Sequence, residues 1–156
     1  MNRLLNRFTP TKVLDVGSCD INGNIRHLFN KKTEYIGVDM RRGDNVDVVI
    51  NGHNLLTRFK EEEFDLVVSF DTFEHDGAFW LTLEQMKKVL KPGGWIVLGF
   101  PGRNCPEHDH LRDYWRFMPQ SIDILLLGYE DVEVVAQLDD PSHEKFDEIY
   151  CMGRKP

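Results

Sequence analysis

The chain has 156 residues, 41% of them hydrophobic, and a formal net charge of −7 at pH 7. This length suits one folded unit, and we predict a single domain over 1–156 with a short N-terminal extension at 1–11. The acidic charge disfavours an extended nucleic-acid surface, and no apolar run approaches the roughly 20 residues that span a bilayer. Three scattered cysteines, Cys19, Cys105 and Cys151, favour a reduced, cytoplasmic setting.

Apolar segments alternate with helix-like segments along the chain. The predicted strands are 12–16, 35–38, 46–50, 64–70, 95–100, 132–137 and 149–152. Helical patterns cover 23–29 and 78–90, and a third helix is expected to begin near Pro119 and stop at Gly128. The KPGG stretch at 91–94 is expected to end the second helix and turn the chain. This alternation predicts a Rossmann-like, doubly wound and mostly parallel sheet in three α/β/α layers.

The candidate ligand site lies where the first two strands end. Ligands of doubly wound sheets bind at the carboxyl ends of the strands, so VLDVGSCD at 13–20 and YIGVD at 35–39 are expected side by side. The first loop carries Gly17 and Gly23 with Cys19 between them, so the G-x-G-x-x-G spacing of a dinucleotide loop is missing. The G-x-x-x-x-G-K-[ST] pattern of ATP loops is missing as well. The loop therefore suits a cofactor that has an adenosine but no phosphates.

Individual residues of this loop have roles with and without a ligand. Gly17 permits close approach of a ligand, and backbone amides at 22–24 are candidates to receive a carboxylate. Asp39 is placed to accept hydrogen bonds from ribose hydroxyls. Without a ligand, Gly17 would form only a tight turn, and Asp39 would be a helix N-cap or a solvated acid. Cys19 is more simply a small buried side chain than a nucleophile, since no base is identifiable beside it.

Four segments together resemble the class I S-adenosylmethionine-dependent methyltransferases, specifically the small type-11-like group. They are VLDVGS at 13–18, YIGVD at 35–39, FDLVVSFDTFEH at 64–75 and LKPGGWIVLGFPG at 90–102. The order and spacing of the segments carry the resemblance, which runs from about residue 12 to the C-terminus. It implies S-adenosyl-L-methionine as the cofactor, methyl transfer as the reaction, and about seven strands of which the last is antiparallel.

The resemblance also implies which residues hold the cofactor. Asp15 and Gly17 would line the methionine end, Asp39 would bind the ribose, and Met40 would flank the adenine. The segment NGHNL at 51–55 would close over the adenine edge. Two positions depart from the family: Cys19 stands where glycine is commoner, and Asn51 stands where an acid is common. The implied cofactor-binding residues are Asp15, Gly17, Ser18, Cys19, Asp39, Met40, Asn51 and Asn54.

Acceptor-side residues are expected after the fourth and fifth strands. The FEH stretch at 73–75 matches the family segment that faces the transferred methyl, and His75 is either a general base or a polar residue that fixes the loop. The segment RNCPEHDHLRDYWRF at 103–117 is predicted to be an acceptor lid. The candidate bases are His75, His108 and His110, and the candidate substrate-binding residues are Glu74, Arg112, Tyr114, Trp115 and Arg116.

The lid segment also has less specific explanations. Its aromatic side chains could instead pack in the core under the next helix, and its arginines either form ion pairs within the loop or receive an anionic acceptor. We expect no metal site, because adjacent side chains such as those at 107–110 rarely converge on one ion.

The predicted function is in-line methyl transfer from S-adenosylmethionine to a small or polar acceptor, such as a saccharide or another metabolite. Catalysis then rests mainly on orientation and desolvation. We expect neither an extended nucleic acid nor a membrane as partner. One rival is a non-catalytic binding module of the same fold that serves a partner protein, favoured by Cys19 and Asn51. The other is a nicotinamide-dependent oxidoreductase, which the broken glycine spacing disfavours.

Overall fold

The computed structural model describes residues 5, 7, 9–21, 23–108, 112–137 and 147–156. The strands are β1 (Lys12–Val16), β2 (Glu34–Asp39), β3 (Val48–Val49), β4 (Phe64–Phe70), β5 (Leu90–Pro101), β6 (Glu130–Gln137) and β7 (Glu148–Arg154). The helices are α1 (Phe79–Val89) and α2 (Ser121–Leu125), and 3₁₀ turns lie at Arg26–Leu28, Gly52–Thr57 and Phe73–His75. Within these described ranges, no helix has the length and apolar character needed to cross a membrane.

The described strands form one sheet in the order β3-β2-β1-β4-β5-β7-β6. β1 pairs in parallel with β2 and β4, and the pairs β2–β3 and β4–β5 are also parallel. β7 runs antiparallel to both β5 and β6. The doubly wound, mostly parallel sheet with an antiparallel last strand is therefore confirmed. Strand order reverses between β1 and β4, so the carboxyl ends of these two strands flank the switch point.

The larger part of the core lies on the face covered by α1, α2 and the 3₁₀ segment Gly52–Thr57. α1 places Leu83 and Met86 against the sheet, as the helical spacing of its apolar residues predicted. Each large apolar side chain buried in this way stabilises the fold by about 1.5–3 kcal/mol. This packing holds the strand ends, and with them the site, in place.

The KPGG stretch belongs to β5 instead of forming a separate turn between α1 and the strand. α1 ends at Val89, close to the predicted end, but β5 already begins at Leu90. The C-terminus explains the difference, because the Gly93 N–H donates to the Lys155 carbonyl at 2.8 Å and the Lys155 N–H donates to the Gly94 carbonyl at 2.9 Å. These bonds extend the sheet into the stretch that the prediction treated as a turn.

The predicted helix at 23–29 is wrong beyond a single 3₁₀ turn at Arg26–Leu28. Asp20 accepts hydrogen bonds from the Gly23 N–H at 2.8 Å and the Asn24 side-chain amide at 2.6 Å. The Asn24 side-chain oxygen in turn accepts from the Arg26 N–H at 3.1 Å. Such side-chain bonds compete with the backbone bonds of a helix. The turn still packs Leu28 on the second face of the sheet, as expected of this segment.

β3 is also shorter than the predicted strand at 46–50. The Asp47 carboxylate accepts the Gly37 N–H at 2.7 Å, which removes a donor that a longer β-ladder would use. Asn45, just before it, has a left-handed backbone with φ of 67°. The third predicted helix is present as α2, which begins shortly after Pro119 and ends before Gly128, whose φ is 84°.

Candidate active site

A cleft of about 250 Å³ opens at the carboxyl ends of β1, β2 and β4, beside the switch point. One end is formed by the loops after β1, β2 and β3, and the other by the loop after β4 and the segment after β5. The cleft therefore joins the predicted cofactor end to the predicted acceptor end. The predicted site residues that line it are Gly17, Cys19, Asp39, Met40 and Asn51 at the first end and His75 and Tyr114 at the second.

Gly17 connects the two ends because it packs directly on Thr72, just after β4. Its backbone lies in the left-handed region at φ of 80°, and an added Cβ would lie 2.0 Å from Thr72 Oγ1. The N–H groups of Gly17 and Ser18 both donate to the Val38 carbonyl, at 2.9 Å and 3.0 Å. The loop thus requires glycine for its backbone conformation and for its close contact with Thr72.

Asp39 and Asn51 border the same end of the cleft. Asp39 Oδ1 accepts the Arg41 N–H at 2.9 Å, and within the described part of the chain no protein donor bonds to Oδ2. Asn51 caps the following 3₁₀ turn, because its side-chain oxygen accepts the His53 N–H at 2.8 Å. One carboxylate oxygen of Asp39 is therefore left for a ligand, as a ribose hydroxyl would need.

Three predicted cofactor residues, Asp15, Ser18 and Asn54, do not line the cleft. Asp15 is buried on the opposite side of β1, where the Tyr35 hydroxyl donates to it, and burial raises the pKa of its carboxyl to about 6. Ser18 is buried as well, and its hydroxyl donates to the Asn45 carbonyl at 3.2 Å. The side chains of Asp15 and Ser18 therefore support the loop from the protein interior instead of facing the cleft.

The backbone amides expected to receive a carboxylate at 22–24 are not all available. The Gly23 N–H donates to Asp20 Oδ1 at 2.8 Å, and Asn22 lies outside the described residues. The Asp20 N–H is also used, by the Asp44 carbonyl at 3.0 Å. The expectation of a carboxylate-binding loop is therefore wrong for Gly23, because its amide closes the turn formed by Asp20.

At the acceptor end, the 3₁₀ turn Phe73–His75 follows β4 and carries both Glu74 and His75. Glu74 is fully buried, and neither of its carboxylate oxygens has a hydrogen-bond partner among the described residues. Burial raises the pKa of this carboxyl to about 8, and the negative charges of Asp71 and Asp113 act in the same direction. His75 lines the cleft, and its Nδ1 lies 2.8 Å from the Arg112 carbonyl.

Residues 112–115 of the predicted lid segment at 103–117 lie on this turn, and three hydrogen bonds hold them there. The Tyr114 N–H donates to the Glu74 carbonyl at 2.7 Å, and His75 Nδ1 donates to the Arg112 carbonyl. The Trp115 Nε1–H donates to the Asp76 carbonyl at 2.9 Å. Residues that follow β5 are therefore fixed against the loop that follows β4.

The predicted substrate-binding residues of this segment occupy different environments. Tyr114 lines the cleft. Trp115 instead packs on Phe79 with ring centroids 5.7 Å apart, which agrees with core packing, the alternative that the sequence left open for the aromatic side chains of this segment. Arg116 binds both oxygens of Asp113, each at 2.5 Å, so it forms an ion pair within the loop. Arg112 is exposed and does not line the cleft, nor does the buried Glu74.

The two other candidate bases can be placed only in part. His108 Nε2 lies 3.2 Å from His75 Nε2, so the loop after β5 brings a second imidazole to the acceptor end. His110 lies outside the described residues. Two of the three histidines proposed from the sequence are therefore neighbours in space, although 33 positions separate them along the chain.

A pair of cleft residues, His53 and Asp76, was missed in the sequence. His53 Nε2 lies 2.9 Å from both carboxylate oxygens of Asp76, which also accept the Ala78 N–H at 2.9 Å and the Thr82 hydroxyl at 2.6 Å. The available signal was position: His53 lies in the NGHNL segment, and Asp76 directly follows the FEH stretch. This pair links the two ends of the cleft through side chains.

The chain is a doubly wound α/β protein with a cleft at the switch point of its sheet, and comparison with known proteins identifies the family. The sequence profile described as "Methyltransferase domain" matches residues 1–125. The chain therefore belongs to the methyltransferase-domain family. This confirms the resemblance to class I S-adenosylmethionine-dependent methyltransferases that was drawn from the sequence. A comparison with curated proteins found no match.

Solved structures share the fold. The chain is similar to 1,6-didemethyltoxoflavin-N1-methyltransferase from Burkholderia thailandensis, at 16% identity and a TM-score of 0.74 over 99% of this chain and 78% of that one. A methyltransferase from Archaeoglobus fulgidus matches at 16% identity and a TM-score of 0.70, over 99% and 95%. Phosphoethanolamine N-methyltransferase 2 from Haemonchus contortus matches at 17% and 0.69, over 99% and 52%. At these identities the likeness concerns the fold.

Proposed function

We propose that this chain transfers a methyl group from S-adenosylmethionine, bound between Gly17 and Asp39, to a small polar acceptor held near His75 and Tyr114. The observation that carries the proposal is the single cleft that runs between these two sets of residues. Parallel strands on either side of the switch point supply both sets, which is where doubly wound sheets bind their ligands.

The residues at the first end fit the cofactor. Asp39 Oδ2 has no donor from the described residues and is available to a ribose hydroxyl. Gly17 presents bare backbone to the cleft, and Met40 and Ile50 offer apolar surfaces for an adenine. When bound, the cofactor supplies a methyl group already activated on a sulfonium.

The residues at the second end would orient the acceptor and exclude water. Tyr114 borders the cleft from the lid segment, and the hydrogen bonds of that segment to Glu74 and Asp76 keep it in place. A hydroxyl or amine acceptor must also lose a proton, and the imidazoles of His75 and His108 are the groups at this end that can assist. The remaining catalytic effect is orientation of the attacking atom.

The acceptor is proposed to be a saccharide or another small polar metabolite. The Burkholderia protein was crystallised with 1,6-didemethyltoxoflavin and S-adenosylhomocysteine, and the Haemonchus protein with phosphomonomethylethanolamine and S-adenosylhomocysteine. Small acceptors in two proteins of this fold support a small acceptor here. The rival of a non-catalytic binding module has no specific observation in its favour.

The test is calorimetric titration of the protein with S-adenosylmethionine and S-adenosylhomocysteine, with NADH as a negative control. We expect micromolar binding of at least one adenosyl ligand, and a loss of tenfold or more in affinity for Asp39→Ala, because a charged acceptor for the ribose is removed. Asp44→Ala is the matched control, since Asp44 is exposed nearby and does not line the cleft. Equal loss in both variants, or no binding by the wild type, would contradict the proposal.

A further inference from the structure

Three side chains converge at the acceptor end from two different loops. His75 Nε2 lies 3.2 Å from His108 Nε2 and 3.6 Å from Glu74 Oε1, and His108 Nε2 lies 4.0 Å from the same carboxylate oxygen. Their ligand atoms all lie within 4.8 Å of one another. Glu74 and His75 follow β4, whereas His108 follows β5, so the parallel pairing of these strands creates the cluster.

The outer nitrogens of both rings determine which atoms face inward. His75 Nδ1 lies 2.8 Å from the Arg112 carbonyl, so that nitrogen carries the proton. His108 Nδ1 faces two acceptors, the Pro106 carbonyl at 3.4 Å and Asp113 Oδ2 at 3.5 Å. A neutral imidazole protonated at Nδ1 has a lone pair at Nε2. The two Nε2 atoms lie 3.2 Å apart, a separation that either a proton on His108 Nε2 or a cation between two lone pairs accommodates.

Glu74 provides the second, independent observation. Its side chain is fully buried, and among the described residues neither carboxylate oxygen has a hydrogen-bond partner. Burying an unpaired carboxylate is costly, and protonation, a counter-charge or a ligated ion removes that cost. His75 Nε2 and His108 Nε2 lie 3.6 Å and 4.0 Å from Glu74 Oε1, so a compensating cation would lie between Glu74 and the histidines.

We propose that Glu74, His75 and His108 bind a divalent transition-metal ion, with Zn²⁺ as the best-fitting representative. Zinc–ligand bonds of about 2.0–2.1 Å in a tetrahedron separate neighbouring ligand atoms by about 3.3 Å, and the observed separations of 3.2, 3.6 and 4.0 Å approach this value. Two imidazoles and one carboxylate form a set that suits zinc better than magnesium, which prefers oxygen ligands.

The surroundings match those of known metal-binding histidines. Such histidines usually donate their second ring N–H to a backbone carbonyl or a carboxylate, which fixes the ring orientation. Here the Arg112 carbonyl holds His75, and the Pro106 carbonyl and Asp113 face His108. Three protein ligands also leave a coordination position open, as in catalytic zinc sites.

The ion would define the acceptor class, and this step rests on the proposed function. His75 lines the cleft, so an acceptor hydroxyl can reach the open position of the ion. Coordination lowers the pKa of a bound hydroxyl. Because both Nε2 lone pairs are then on the ion, the proton passes to water and not to an imidazole. The oxygen lone pair then forms the new O–C bond to the methyl, and the C–S bond breaks with its electron pair staying on sulfur. The favoured acceptors are therefore molecules with a hydroxyl that can bind a metal.

The test is titration of metal-free protein with Zn²⁺, and with Co²⁺ as a spectroscopic probe, without any cofactor. We expect one equivalent to bind, with ligand-field bands of nitrogen and oxygen donors and no thiolate charge-transfer band from Cys19 or Cys105. Glu74→Gln and His108→Ala should each weaken binding at least tenfold. His27→Ala, which changes an exposed histidine outside the cluster, should leave the affinity unchanged.

A thermal readout separates metal binding from a structural role of Glu74. Zn²⁺ should raise the Tm of the wild type through preferential binding to the folded state, and it should not raise the Tm of Glu74→Gln. Thiolate bands, binding that survives both substitutions, or no binding by the folded wild type would each overturn the proposal. Zn²⁺ binding without adenosyl-ligand binding would overturn the proposed function alone, and the reverse result would overturn the metal site alone.

Discussion

Replacing Gly17 with alanine tests whether the two ends of the cleft are held together by direct contact. The left-handed backbone at φ of 80° costs an alanine about 1–2 kcal/mol. The new Cβ would also lie 2.0 Å from Thr72 Oγ1 and 2.5 Å from Thr72 Cγ2, and overpacking of this kind costs about 1–3 kcal/mol. Alanine restricts the unfolded chain, which offsets about 0.4–1 kcal/mol. We therefore expect a net destabilisation of about 1–5 kcal/mol.

The assay is urea denaturation of Gly17→Ala together with Gly128→Ala as its matched control. Gly128 has nearly the same φ, 84°, but an added Cβ would meet nothing within 4 Å, so its variant reports the backbone strain alone. The expected difference between the variants is about 1–3 kcal/mol, which is the cost of the clash with Thr72. Gly17→Ala should also weaken binding of S-adenosylhomocysteine. If both variants lose the same stability, the contact between Gly17 and Thr72 does not constrain the loop.

Three further substitutions test particular contacts. The pKa of Asp15 is raised by burial from 3.8 to about 6, so the folded state binds more protons and the contribution of Asp15 to stability should fall by about 2–3 kcal/mol as pH rises from about 4 to 6. The difference in unfolding free energy between wild type and Asp15→Asn, in which the titration of other groups such as Glu74 cancels, should fall by that amount in urea titrations, and a constant difference would refute the cause. Burial alone would raise the pKa of Asp65, but Lys91, Thr11 and backbone amides lower it from 3.8 to about 2. Ionised Asp65 should therefore stabilise the protein by about 1–2 kcal/mol above pH 4, and this stabilisation is lost as pH falls through 2. Asp65→Asn should lack this effect in acid titrations followed by circular dichroism. Trp115→Phe removes the Nε1–H bond to the Asp76 carbonyl and should lower the unfolding free energy measured in urea by about 1 kcal/mol, more than Trp80→Phe, since Trp80 is 52% exposed. Equal losses would show that the bond contributes nothing.

The parallel strands were predictable because their apolar runs are short, buried and bounded by turn residues. β1 matches its prediction at both ends, and β4 does too. The helix expected at 23–29 failed because the Asp20 carboxylate binds the Gly23 and Asn24 donors, which hydrophobic periodicity cannot register. The predicted start of β5 lies five residues after the observed start, because the first part of this strand bonds to Lys155, a contact that the local sequence does not reveal.

The site was predictable where one motif supplies a residue directly at a strand end. Asp39 is the last residue of β2 and Gly17 directly follows β1, so strand boundaries alone place both at the cleft. Asp15 was misplaced because strand residues alternate between faces, and this one lies under the Tyr35 hydroxyl. For Arg116 the sequence left two partners open, a carboxylate within the loop or an anionic acceptor. In the structure both carboxylate oxygens of Asp113, three residues away, accept hydrogen bonds from Arg116.

The histidine cluster shows what topology adds to a sequence motif. Taken alone, the run at 107–110 offers only adjacent residues, whose side chains rarely converge on one ion, and on that ground a metal was not expected. Glu74 and His75, however, follow β4, and His108 follows β5, and these strands are parallel neighbours whose carboxyl ends meet at one edge. Side chains from distant positions therefore converge where we propose that the acceptor binds. The loops after β1 and β2 form the proposed cofactor end by the same geometry, so the proposed division of the cleft into two ends follows from strand order.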